Sequence, residues 1–174
     1  SLAPDPELAV FHGTQGGDDW TVLGRFAFTG ANPARDVSMH EFGLDSITKY
    51  LAYDFWNDKF FGVVEGSVPT TALAEGACQV IGLRPLASHP QVLGTDRHVL
   101  QGAVDLKDVK WEGNTLSGKI LLGPERQWTL KVHVPNGYKP VPKTGTTLDG
   151  EVLSIRFPMG EGWKDWSISF SKGD

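Results

Sequence analysis

Asp54 stands directly before Phe55 and Trp56. A carboxylate crowded by aromatic rings loses hydration, which favours its acid form, and an acid poised nearer neutral pH is what proton transfer to a leaving group requires. The plainer role for such a residue is a strand carboxylate that faces solvent or accepts backbone hydrogen bonds at a turn, because structural networks perturb acids as well. That structural role is the expectation here. A second polar knot gathers Asp96, Arg97, His98 and Gln101. It could bond a sugar or grip a neighbouring domain, but short polar side chains in loops mostly satisfy their own backbone. A structural or domain-contact role is expected first.

Metal and phosphate chemistry find little support. His12, His40, His89 and His133 are dispersed, and His40-Glu41 lacks the second histidine of a zinc helix. Cys78 is the single cysteine, so intrachain disulfides and cysteine-cluster metal sites are excluded. Gly113-Asn114-Thr115-Leu116-Ser117-Gly118-Lys119 matches most of a phosphate-binding loop, but Ile120 stands where a magnesium-binding hydroxyl belongs. That motif must also open a helix, whereas residues 116–122 read as a strand. No metal, no cofactor and no catalytic residue are expected.

The six tryptophans carry more weight. The C–H faces of sugar rings lie on flat aromatic rings, so an exposed indole marks carbohydrate binding. Trp111, Trp128 and Trp166 fall in phase with buried strand faces, whereas Trp20, Trp56 and Trp163 adjoin turns and are candidates for exposure. Tryptophan is highly buried on average, so core packing is expected for most. Trp56 and Trp163 remain the candidate platforms, or parts of a face that meets another domain.

The elements that must position these residues are strands. In Gln127–Val134 the apolar residues sit at 128, 130, 132 and 134 with polar ones between, one buried and one wet face. Leu153, Ile155 and Phe157 repeat the pattern, as do Trp166, Ile168 and Phe170, and Val22, Gly24, Phe26 and Phe28 suggest another strand. Residues 104–111 alternate but slip phase between 106 and 109, which predicts a β-bulge or two strand pieces. Glu112-Gly113-Asn114 reads as the following turn. Tyr50–Trp56 and Lys59–Val64 read as a hairpin turning at Asn57-Asp58, with one helical turn near Glu41–Leu44.

Composition agrees with that picture. The 174 residues include 21 Gly and 11 Pro without a repeat to explain them, so turns are frequent and elements short. Ten to thirteen strands are expected in an all-β, antiparallel β-sandwich of Greek-key type. A composition shift near Arg84-Pro85 suggests two packed sandwich-like halves, 1–86 and 87–174, with one continuous domain as the alternative. Net charge is −5 and the basic residues are scattered, against the basic stripe of a nucleic-acid binder. No apolar run approaches the roughly 20 residues of a membrane span. Neither nucleic acid nor membrane is an expected partner. The chain begins at Ser1 without a methionine, and is expected to be a segment of a longer polypeptide of unassigned compartment.

One resemblance gives these residues a context. Tyr50-Leu51-Ala52-Tyr53-Asp54-Phe55-Trp56-Asn57-Asp58-Lys59-Phe60-Phe61-Gly62 resembles a tyrosine, Asp-Phe-Trp, Phe-x-Gly stretch of the β domain that follows the catalytic barrel in α-galactosidase-like glycoside hydrolases. Ile81-Gly82-Leu83-Arg84-Pro85, then His89 to His98 and Gln101-Gly102, look like its continuation. The resemblance covers roughly residues 20–138. It implies a non-catalytic β-sandwich at the carboxyl end of a glycosidase, with the catalytic aspartates on the barrel, so no catalytic residue is carried over. Glycoside hydrolysis needs two carboxylates flanking the sugar bond, and 21 Asp and Glu make chance pairs inevitable. The expected partner is an upstream catalytic barrel of the same polypeptide, which the domain stabilises. The alternative is a carbohydrate-binding module using exposed tryptophans. A self-contained small hydrolase ranks last. Asp54, Trp56, Arg97, His98, Gln101 and Trp163 are the candidate carbohydrate or domain-contact residues.

Overall fold

The structure, a computed structural model, describes residues 7–15 and 18–173. It is all-β and built from antiparallel sheets. The described residues divide into two compact units: one takes 7–13 and 19–86, the other 14–15, 18 and 87–173.

The first unit is organised by a five-stranded sheet in the order β1-β2-β7-β4-β5, from β1 (Leu8–Gln15), β2 (Asp18–Phe26), β4 (Tyr50–Asp54), β5 (Lys59–Val64) and β7 (Cys78–Pro85). A two-stranded ribbon of β3 (Asp36–Ser38) and β6 (Ser67–Pro69) accompanies it. Between β3 and β4 lies the 3-10 turn Met39–Phe42. Ser38 and Glu41 close its start as a reciprocal capping box, and Gly43 ends it in the left-handed conformation at φ +70. Leu23, Tyr50, Ala52, Ile81 and Leu83 from the sheet form one core with Val37, Met39, Phe42 and Val68 from the ribbon and turn. The ribbon is therefore held by apolar burial and not by its few ladder bonds. The β4–β5 hairpin lies where the aromatic and β-branched residues predicted it.

In β2 the structure departs from the predicted alternation. The strand ends at Phe26, Phe28 is exposed, and Trp20, Thr21, Val22 and Leu23 are all buried. A strand covered on both faces has no wet side to impose period two.

The second unit is a β-sandwich of two four-stranded sheets. One has the order β12-β15-β10-β9, from β9 (Leu106–Glu112), β10 (Thr115–Leu122), β12 (Tyr138–Pro140) and β15 (Gly162–Lys172). The other runs β13-β14-β11-β8, from β8 (Gln91–Thr95), β11 (Trp128–His133), β13 (Thr146–Asp149) and β14 (Val152–Phe157). Leu116, Ile120, Trp166, Ile168 and Phe170 are buried from the first sheet, and Leu130, Val132, Leu153, Ile155 and Phe157 from the second. Apart from Leu116 and Ile120, these are the alternating positions read from the sequence, now facing inward.

Fifteen strands form among the described residues, more than the ten to thirteen expected. The surplus comes from pieces such as β3, β6 and β12, three residues each, which are too short to show a period and exist through their partners. The slipped phase in β9 is a bulge: Lys110 pairs with Ser117 and Lys107 with Lys119, so Asp108 and Val109 together oppose Gly118. Asp108 takes φ +54 there. The β9–β10 turn places Gly113 at φ +55 and Asn114 at φ +58, as a tight two-residue hairpin demands.

Candidate functional site

The carboxylate picked out by sequence is sealed into the first unit. Asp54 has no exposed surface. Its Oδ1 accepts from the Asn57 backbone N–H at 3.1 Å, and its Oδ2 accepts from Asn57 Nδ2 at 2.8 Å and Gln79 Nε2 at 2.7 Å. Gln79 extends the chain, its Oε1 accepting from the Thr71 N–H at 3.1 Å. Asp54 thus fastens the turn after β4 to β7 and to the loop after β6, and both oxygens are occupied by amide donors. Trp56, in that turn, is 56% exposed and meets Phe55 edge-on at 4.8 Å between centroids. Trp20, a candidate for exposure by its place beside a turn, is 3% exposed and lies under the Arg84 guanidinium, 3.1 Å from its ring centroid. Its strand is covered on both faces, which overrides its position.

In the second unit the loop after β8 carries the other sequence candidates. Arg97 is half-buried; it pairs with Asp105 at 3.6 Å and Glu125 at 3.3 Å, donates to the Leu121 carbonyl, and sits 5.2 Å from the Trp128 ring centroid. His98 is exposed, and its Nδ1 accepts from the Leu100 N–H at 3.2 Å. Gln101 is fully buried at φ +57, its carbonyl accepting from the Thr95 N–H at 2.9 Å. Gly94 is a necessary neighbour, since a Cβ there would come within 3.0–3.2 Å of Gln101. The knot therefore folds the loop onto the sandwich. Burial raises the pKa of Asp105, against the nearby positive charges of Arg97 and His98. Among the described residues no group of three or more His, Cys, Asp or Glu side chains could hold a metal ion.

Trp163 belongs to a different arrangement, which sequence reasoning did not assemble. Trp166, Ile168 and Phe170 turn into the sandwich, so Trp163, Asp165, Ser167 and Ser169 turn out. Opposite them on β10 stand Leu121, Lys119, Ser117 and Thr115 in register. Thr115 and Ser169 join hydroxyls at 3.2 Å. From β9, Lys107 lies beside Lys119 and Lys110 beside Ser117. The bulge swings Asp108 to within 3.4 Å of the Lys119 ammonium. Lys143, in the loop between β12 and β13, reaches back to donate to the Ser167 carbonyl at 2.9 Å.

Asp108, Lys110, Ser117, Lys119, Lys143, Asp165 and Ser167 border an open groove of about 530 Å³. Trp163 is not among its lining residues but stands two positions before Asp165 on the same face of β15, 42% exposed, with the Lys107 ammonium 3.9 Å from its ring centroid. Hydroxyls, ammonium groups and carboxylates side by side, next to an indole face, make a surface suited to a polyhydroxylated ligand. The signal for it was present as the outward half of each alternation. The pairing of β10 with β15, distant in sequence, was not.

No protein-family model and no curated protein matches the chain.

Proposed function

We propose that this chain is a non-catalytic β domain of an α-galactosidase-like glycoside hydrolase, accessory to a catalytic barrel upstream in the same polypeptide. The observation that carries this reading is the state of Asp54. It lies in the stretch that resembles that family, and both its oxygens are bound by Asn57 and Gln79 inside the fold. A carboxylate so engaged ties strands together and has no position from which to protonate a glycosidic oxygen. The accessory role would work through burial: an intramolecular interface of about 600–1,500 Å², at roughly 25 cal/mol per Å² of apolar area, holds a neighbouring barrel in shape. Two measurements test the proposal. The isolated chain should release no nitrophenol from a nitrophenyl α-galactoside, and deleting this segment from the parent polypeptide should lower the barrel's melting temperature. Nitrophenol release by the isolated chain would overturn it, and so would a barrel indifferent to the deletion.

A second reading, a carbohydrate-binding module, is favoured by the exposed Trp163 beside a groove of hydroxyl, ammonium and carboxylate groups. The two are compatible within one polypeptide, because tethering a sugar-binding surface to a catalytic domain raises the local substrate concentration.

A further inference from the structure

We propose that the groove on the outward face of β9, β10 and β15 binds a neutral oligosaccharide, with Trp163 as the stacking platform and Asp165 as the principal acceptor for sugar hydroxyls. This rests on the carbohydrate-binding reading and gives it a site and a ligand class.

Charge decides between neutral and acidic glycans. Each ammonium group facing the groove already has a contact within the chain: Lys119 with Asp108 at 3.4 Å, Lys110 with Glu112 at 3.1 Å, Lys143 with the Ser167 carbonyl, and Lys107 with the Trp163 ring. Lys110 and Lys119 are neutralised by carboxylates, and the carboxylate of Asp165, which also lines the groove, repels a uronate or a sulfate. Asp165 is different. Among the described residues its carboxylate takes part in no hydrogen bond or ion pair, although it lines the groove and stands opposite Lys119 in the ladder. A carboxylate accepts only, and paired hydroxyls of a sugar ring are donors matched to its two oxygens.

The spacing fits as well. Trp163 and Asp165 are two residues apart on one strand, so their side chains leave the same face about 6.8 Å apart. A pyranose lying on the indole can therefore present its edge hydroxyls to Asp165, and the next ring runs on towards Ser117 and Ser167. The groove volume of about 530 Å³ suits such a ligand. Lys107 over the indole also limits the orientations the ring can take.

The test titrates the intact chain with neutral galacto-, manno- and gluco-oligosaccharides of four rings, and with an oligogalacturonate of the same length, by calorimetry and tryptophan fluorescence. Trp163→Ala and Asp165→Ala are compared with Trp56→Ala, and a thermal melt checks that each variant is folded. The expected result is binding of a neutral oligosaccharide that weakens by about tenfold or more in Trp163→Ala and in Asp165→Ala, and is unchanged in Trp56→Ala. Binding lost only in Trp56→Ala would overturn the groove while the carbohydrate-binding reading stands. Preference for the oligogalacturonate would overturn the neutral ligand class. Failure of every oligosaccharide to bind would overturn groove and reading together.

Discussion

Gln79 donates its side-chain amide to the Asp54 carboxylate at 2.7 Å, between neighbouring strands β7 and β4, with both residues almost wholly buried. An amide–carboxylate bond out of water matters chiefly for what its loss leaves behind. Removing the acceptor strands a buried donor, and hydrogen bonds to charged groups contribute about 1.5–3 kcal/mol. Asp54→Ala should therefore destabilise the chain by about 2–3 kcal/mol in urea unfolding. A loss below about 0.5 kcal/mol, the range of ordinary surface substitutions, would mean that the bond does not hold β4 to β7.

Trp20 and Trp56 adjoin turns in the sequence, yet they should respond in opposite ways. Trp20 is packed under Arg84, and truncating a buried tryptophan costs about 3–5 kcal/mol. Trp56 is 56% exposed, so Trp56→Ala should stay within about 1 kcal/mol of the parent. Chemical denaturation of both variants under one set of conditions checks the contrast; equal losses would contradict the burial described for β2.

Gly118 opposes the bulge in β9. A Cβ there would stand 3.2 Å from the Lys107 carbonyl oxygen, the Val109 Cα and the Val109 Cγ2. Two of those atoms are backbone and yield only if the bulge itself shifts. Gly118→Ala should cost about 1–3 kcal/mol, as overpacking does, and move the amide resonances of Lys107 to Lys110. A stabilised variant with unshifted resonances would show that the ladder is not so close at this point.

Acid and base should pull stability in opposite directions through two buried groups. Burial holds His133 below its ordinary value of 6.5, although Glu151 draws it upward. The unfolded chain then takes up the proton first, so the stability contributed by neutral His133 is present above about pH 6.5 and is lost as pH falls below it. Asp105 is raised from 3.8 by burial. Here the folded chain takes up the proton first, so its contribution is complete below about pH 3.8 and is lost as pH rises through the raised value. Melting temperature followed across the pH range reads both. His133→Gln should flatten the fall on the acid side of about pH 6.5, and Asp105→Asn should raise the melting temperature at neutral pH relative to the parent. The reverse slope in either variant would refute the burial assigned to that group.

Local order was legible in the chain wherever one face of a strand is wet and the other dry. Leu130 and Val132, Leu153 and Ile155, and Trp166, Ile168 and Phe170 announced their inward faces because period two needs no knowledge of a partner. The bulge in β9 showed as a slipped phase, and the β4–β5 hairpin as two β-branched runs about Asn57-Asp58. Where burial is two-sided, as at Trp20 to Leu23, the period vanished and the sequence misled about exposure. Strands of three residues left no trace either.

The chain alone thus determined the all-β class and the inward residues of the long strands, and it could not tell the exposed Trp56 and Trp163 from the buried Trp20. Only the tertiary structure decided that Asp54 is spent on Gln79 and Asn57, and that Asp165 pairs with Lys119 in a ladder that lines a groove. The physical reason is range. Alternation is written by neighbours two residues apart, whereas a hydrogen-bond partner or a groove wall comes from a strand whose register is set by distant pairing.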